Sequence, residues 1–191
     1  MRLVVGLGNP DRKYADTRHN LGYRVCDELS RRWATDFGRE KFSSLIAETQ
    51  TPGGKVVLLK PLTYMNLSGQ AVAAAVGFYQ LDLSEVLVVC DDFNLDLGRL
   101  RIRFGGSHGG HNGLRDIIAR LATEEFPRLR LGVGPLSGAD PVGFCLTGFA
   151  AGERNEVDRM IQTAAEAVNV WLENGIQETM NRFNAKGTPE T

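Results

Sequence analysis

Cysteine is scarce: Cys26, Cys90 and Cys145 are three in 191 residues. They are odd in number and none stands in a C-x-x-C pair, so a disulfide framework is excluded and a zinc site built on them has no ligand spacing behind it. Reduced thiols packed in the core are expected. Long apolar runs are also missing. No stretch approaches the roughly twenty residues that cross a bilayer, and no signal-peptide pattern precedes Arg2, which predicts a cytoplasmic protein without a membrane partner. Charge of one sign is absent too: the formal net charge is −1 at pH 7, so any site for a polyanion must come from local clustering. Internal repeats and low-complexity linkers are not found. A chain 42% hydrophobic and 24% charged has enough apolar surface for one core, and a single domain over 1–191 is expected, with the tail from 184 to 191 fraying.

Two chemical signatures are lacking as well. Gly6 and Gly8 follow the apolar run Leu3-Val4-Val5 like the start of a dinucleotide fingerprint, but Asp11 stands where a third glycine is needed and Pro10 delays the helix. No serine sits in a G-x-S-x-G turn and no cysteine adjoins a histidine. Water is then the attacking group if the chain catalyses acyl transfer.

What is present alternates between strand and helix. Leu3 to Gly6 reads as a buried strand, and Leu21, Val25, Cys26, Leu29 and Trp33 recur at helical spacing from a start near Asn20. Ser44–Thr49 and Val56–Leu59 flank the turn TPGG as a hairpin. NLSGQAVAAAVGFYQL predicts a helix capped by Asn66 or Ser68. VLVVC from Val86 is a second buried strand, followed by a loop DDFNLDLG. RLRIRF from Arg99 alternates strictly, with Leu100, Ile102 and Phe104 on one face and three arginines on the other. A helix over Asn112–Leu121, a strand RLRLGVG and a helix over Arg154–Leu172 complete the pattern, and the glycine and proline content of Pro135–Gly143 allows a mobile lid. The fold class expected is α/β, a three-layer sandwich with a twisted mixed β-sheet flanked by helices.

Ligands of such sheets gather beyond the carboxyl ends of the strands. GNPDRKYADTRHN, DDFNLDLG and GGSHGGHNG would bring Asn9, His19, Asp91, Asp92, His111 and Asn112 together there, with Asn66 entering from its helix. Singly, each has a plainer reading. His19 can be an ordinary loop histidine, Asn9 a turn residue, Asn66 a helix cap, and HGGHNGLRD a glycine-rich turn into a helix capped by Asn112. Together they suggest acyl transfer: a histidine held in one tautomer by a carboxylate, His19 with Asp91, activates water. Asparagine amides hold a carbonyl or a tetrahedral oxyanion. A metal hydrolase on His108 and His111 is disfavoured, because Gly109-Gly110 makes a turn rather than a rigid helical pair.

The segments VVGLGNPDRKYADTRHNLGY, PLTYMNLSGQAV, VVCDDFNLDLGRLRIRFGGSHGGHNGLRDI and RLRLGVG resemble the bacterial-type peptidyl-tRNA hydrolase family, in order and spacing, over nearly the whole chain. The resemblance implies hydrolysis of the ester joining a peptide to the 3′-terminal ribose of tRNA. It also implies a monomer that needs no metal, no cofactor and no obligate protein partner. It makes His19 the base and Asp91 its partner, with Asn9, Asn66 and Asn112 holding substrate. Tyr14 would support the end of tRNA, His111 would neighbour the site, and Arg103 and Arg130 would contact tRNA phosphate. The family usually reads DDLDLP where this chain reads DDFNLDL, with Asn94 and Asp96 in place of an acid and a proline. Non-catalytic relatives of the same fold bind RNA, and a binding role without catalysis is the alternative.

Overall fold

A computed structural model describes residues 1–136 and 140–184. The middle of the lid segment, 137–139, and the tail from 185 lie outside the described residues. Seven strands form one sheet: β1 (Arg2–Gly6), β2 (Arg39–Lys41), β3 (Ser44–Thr51), β4 (Gly54–Pro61), β5 (Val86–Asp96), β6 (Leu100–Phe104) and β7 (Pro127–Gly134). Their order is β2-β3-β4-β1-β5-β7-β6. The four central strands β4, β1, β5 and β7 run parallel, while β2, β3 and β6 add antiparallel edges, as the mixed sheet of the sequence reading requires.

Alternation along the central strands sorts the core into two layers. Val4, Leu58, Leu87 and Val89 point to α1 (Leu21–Arg32) and α5 (Arg154–Phe183). Leu3, Val5, Leu59, Val88 and Cys90 point to α2 (Ser68–Tyr79) and α3 (Asn112–Leu121). A short α4 (Pro141–Cys145) lies beside the carboxyl ends of the strands. The opening glycines serve contact rather than phosphate: a Cβ on Gly6 would overlap the carbonyl oxygen of Gly22, so α1 rests directly on β1. All three cysteines are free and buried.

Several boundaries differ from the sequence reading. The stretch DDFNLDLG is not a loop, because β5 continues to Asp96 with a register shift between Asp92 and Asp96. Gly132 and Gly134 on β7 permit this, since a Cβ at either position would strike β5 backbone. Neither Asn66 nor Ser68 caps α2: Asn66 sits inside a 3-10 turn, Met65–Leu67, and the Ser68 hydroxyl donates back to Met65 O at 2.8 Å. Helix α5 passes Leu172 and continues to Phe183 across a break at Gly175, φ 81°. Beyond it Asn184 holds Ile102 N–H and C=O at 2.8 and 2.9 Å and so covers the free edge of β6. Among the described residues, no helix is long and apolar enough to cross a membrane.

Candidate active site

His19 lies in a 3-10 turn, Arg18–Asn20, that leads into α1, and Asp91 lies on β5 beside it. His19 Nδ1 sits 2.8 Å from Asp91 Oδ1 and 3.0 Å from Oδ2, both side chains being buried. His111 approaches the same carboxylate, Nε2 to Oδ1 at 3.1 Å. The tautomers follow from the partners. His111 Nδ1 accepts the backbone N–H groups of Gly113 and Leu114 at 3.1 and 3.2 Å, so its proton is on Nε2 and is donated to Asp91. His111, and not Asn112, is therefore the N-cap of α3. An ionised Asp91 only accepts, so His19 also donates from Nδ1. Its Nε2 is left as an acceptor in a pocket lined by Phe93, Gly110, His111, Asn112, Pro141, Val142 and Cys145.

The electrostatics agree with that assignment. Burial alone would favour the neutral His19, but the charge and hydrogen bond of Asp91 outweigh it and raise the imidazole above its usual 6.5. His111 is pushed the other way by burial, with His19 and Arg130 adding to it, and stays neutral. Asp91 is opposed by its burial but held far below the usual carboxylate range by the two histidines. Burial and Asp91 raise the Cys145 thiol, which leaves it protonated.

Ligand atoms of His19, Asp91 and His111 fall within 4.8 Å of one another, close enough to raise the question of a metal. The trio fits a hydrogen-bonded relay better. Its contacts of 2.8 and 3.1 Å are N–H donations to one oxygen, whereas ligands of a tetrahedral zinc, each about 2.1 Å from the ion, stand roughly 3.4 Å apart. A metal here would have to displace both of the imidazole N–H protons that the carboxylate accepts. His108 accepts from Gly110 N–H through Nδ1 and contributes no ligand to the trio.

Of the three asparagines expected to hold substrate, Asn112 lines the pocket of the relay, and Asn9 shares its polarity. Asn9 Oδ1 accepts Met65 N–H at 2.9 Å, and Asn112 Oδ1 accepts from Arg115 at 3.1 Å. Both oxygens are thus occupied, and both amides offer N–H donors. Asn20, read in the sequence only as the start of the first helix, fixes Asn9 from behind by pairing with its N–H and C=O at 2.8 and 3.0 Å. Asn66 follows the Met65 that Asn9 holds, and it is exposed. Tyr14 closes a 3-10 turn five residues before His19, with Lys13 Nζ over its ring at 4.8 Å.

The glycine loop before His111 is held through its carbonyls. Arg128, two residues before Arg130 on β7, is fully buried: it stacks on Phe126 and donates to Gly106, Ser107 and Glu124 carbonyls at 2.6, 3.2 and 2.7 Å. Arg130 donates to His108 O at 3.0 Å and pairs with Asp92 at 3.3 Å. Asn94 donates through Nδ2 to Asp92 and to Gly109 O, at 3.2 and 3.3 Å. A carboxylate at position 94 has no proton to give either acceptor. Arg103, by contrast, is exposed on β6 together with Arg101, and Arg99 is exposed just before them.

A family model described as Peptidyl-tRNA hydrolase matches residues 3–191. A peptidyl-tRNA hydrolase of Synechococcus sp. strain JA-2-3B'a(2-13) is 52% identical over 186 residues, which is 96% of this chain and 83% of that protein. One from Caldanaerobacter subterraneus subsp. tengcongensis is 47% identical, covering 96% of this chain and all of that protein. Among solved structures, peptidyl-tRNA hydrolase from Acinetobacter baumannii superposes with a TM-score of 0.90 at 36% identity, covering 97% of this chain and 95% of the other.

Proposed function

Because the chain belongs to the peptidyl-tRNA hydrolase family, we propose that its hydrolysis of the ester between peptide and tRNA runs through His19 as the water-activating base. The observation that carries this is the Asp91 carboxylate under two imidazole N–H groups, which leaves one open acceptor, His19 Nε2, in the pocket. Water gives a proton to Nε2 while its oxygen attacks the ester carbonyl. The imidazolium then returns that proton to the departing ribose oxygen. Asn9 and Asn112 present amide N–H groups, the polarity that a developing oxyanion needs. Asn66, exposed on the turn that Asn9 holds through Met65, is assigned to contact substrate as well, and Tyr14 to support the terminal nucleotides of the tRNA.

No step requires a metal. Release of tRNA from N-acetyl-aminoacyl-tRNA should proceed at an unchanged rate in the presence of a chelator. A loss restored by added divalent cation would overturn the metal-free mechanism. A monomer working in the cytoplasm is part of the same proposal. Binding of RNA without catalysis has no observation in its favour, since a passive surface gains nothing from a buried carboxylate charged against two histidines.

The near-zero net charge leaves tRNA attraction to a local surface. β6 pairs with β7 so that Arg103 stands opposite Arg128 and Arg101 opposite Arg130, which gathers four cations on one sheet face. Arg128 is consumed by the glycine loop, and Arg130 largely so. Arg103, with Arg99 and Arg101, is free to meet phosphate. Arg103→Ala should raise KM for full-length substrate and flatten the salt dependence of tRNA binding by up to about one unit of log K against log salt. Cleavage of a peptide esterified to a short 3′ fragment should stay nearly unchanged. An unaltered salt slope would remove Arg103 from the interface. Arg130→Ala should damage the short substrate as well, because His108 O and Asp92 lose their partner.

A further inference from the structure

Arg18, the residue before His19, sends its side chain away from the pocket and into the segment that builds the opposite wall. Its guanidinium lies between the rings of Phe144 and Phe149, 4.7 and 4.6 Å from their centroids. Nη2 donates to both oxygens of Glu153 at 2.9 Å, and Nη1 donates to Thr147 Oγ1 at 3.1 Å and to the Gly148 carbonyl. Arg18 N–H donates to Thr147 O at 3.0 Å, and Thr17 forms a β-bridge with Gly148. Glu153 is held in turn by Ala150 N–H at 2.6 Å, at the threshold of α5. One buried cation therefore ties the turn carrying His19 to the chain between α4 and α5. Helix α4 supplies Pro141, Val142 and Cys145 to the wall facing His19 and Asp91.

We propose that Arg18 is a positioning residue for the hydrolysis, setting the angle of the His19 turn against Asp91 and the distance between the two pocket walls, with Glu153 as its anchor. Stability alone would not call for this arrangement. An ion pair between a buried cation and a partly exposed carboxylate adds little net stability, whereas a planar cation clamped on two rings and one carboxylate permits only one orientation of the backbone that carries it. The proposal rests on His19 being the base, but its geometric core does not: it concerns the hydrogen bond between His19 and Asp91. The groups facing His19 are Asp91 from β5, His111 before α3 and the Cys145 thiol from α4, and of these only Asp91 draws the imidazole upward.

The test compares Arg18→Lys and Glu153→Gln with wild type in the full chain, by NMR titration of His19 and by steady-state kinetics on a short 3′-fragment substrate. Arg18→Lys retains the charge but loses the planar fork. Both variants should titrate His19 at lower pH than wild type. Both should lose between about tenfold and a hundredfold in kcat, the scale of a small misplacement of a reacting group, with KM within about twofold. Two variants that melt at lower temperature yet keep the wild-type His19 titration and kcat would overturn the proposal. A displaced titration with unchanged kcat would keep the positioning role and instead remove His19 as base, so the two claims fail separately.

Discussion

His19→Ala is expected to lower kcat by roughly two to four orders of magnitude, the usual worth of a positioned general base. Nε2 of His19 is the one acceptor that the relay leaves open toward the pocket. His111 offers no substitute: its Nε2 proton is committed to Asp91 and its Nδ1 to the first turn of α3. KM should change little, since the asparagines and the arginine face are untouched. Steady-state turnover of N-acetyl-aminoacyl-tRNA, compared at equal folded fraction by thermal melt, measures the effect. Turnover near wild type would end the assignment.

Asp91→Asn should cost about as much without removing any catalytic atom. Asp91 Oδ1 receives both imidazoles, so an asparagine whose carbonyl oxygen stays with His111 places its amide nitrogen where Oδ2 now lies, 3.0 Å from His19 Nδ1. Two donors cannot face each other. His111 cannot yield, because its tautomer is fixed by Gly113 and Leu114. His19 can keep Nδ1–H on the shared oxygen at 2.8 Å only with the amide donor opposed to it, and moving its proton to Nε2, where it presents a donor to the water, relieves that opposition and is the outcome expected. A kcat loss of roughly 10³ to 10⁴-fold is expected, the value of the orienting carboxylate in a Ser-His-Asp triad. Titration of His19 by ¹⁵N NMR should show the inverted tautomer. A variant with wild-type tautomer and rate would show that Asp91 does not orient the base.

Much of this was legible in the residues. The apolar run at Leu3, the helical recurrence from Leu21 and the TPGG hairpin placed three of the seven strands and the first helix, because period and turn chemistry are local. The stretch from Asp91 to Asp96 reads locally as a loop because what holds it as strand is a pair of glycines on β7, more than thirty residues later. The burial of Arg128 likewise depends on residues distant in the chain. Period-two geometry puts it on a face with exposed arginines, but its fate depends on a glycine loop that folds over it and offers carbonyls. The pairing of His19 with Asp91 was readable from residue types. The cap on α3 was not, since Asn112 is the better cap by preference and only the shared carboxylate explains why His111 takes that place. Arg18 gave no signal apart from standing beside His19.

The central claim is that neutral His19, with its pKa raised by Asp91, is the base. The pH dependence of kcat/KM on a short 3′-fragment substrate tests it most directly. A base works only when deprotonated, so a raised pKa places the rise in rate at higher pH than an unperturbed histidine would. The account predicts a single-proton acid limb with its midpoint above 6.5, followed by a plateau. A profile with no acid limb, or one whose midpoint lies below that of a free imidazole, would contradict it.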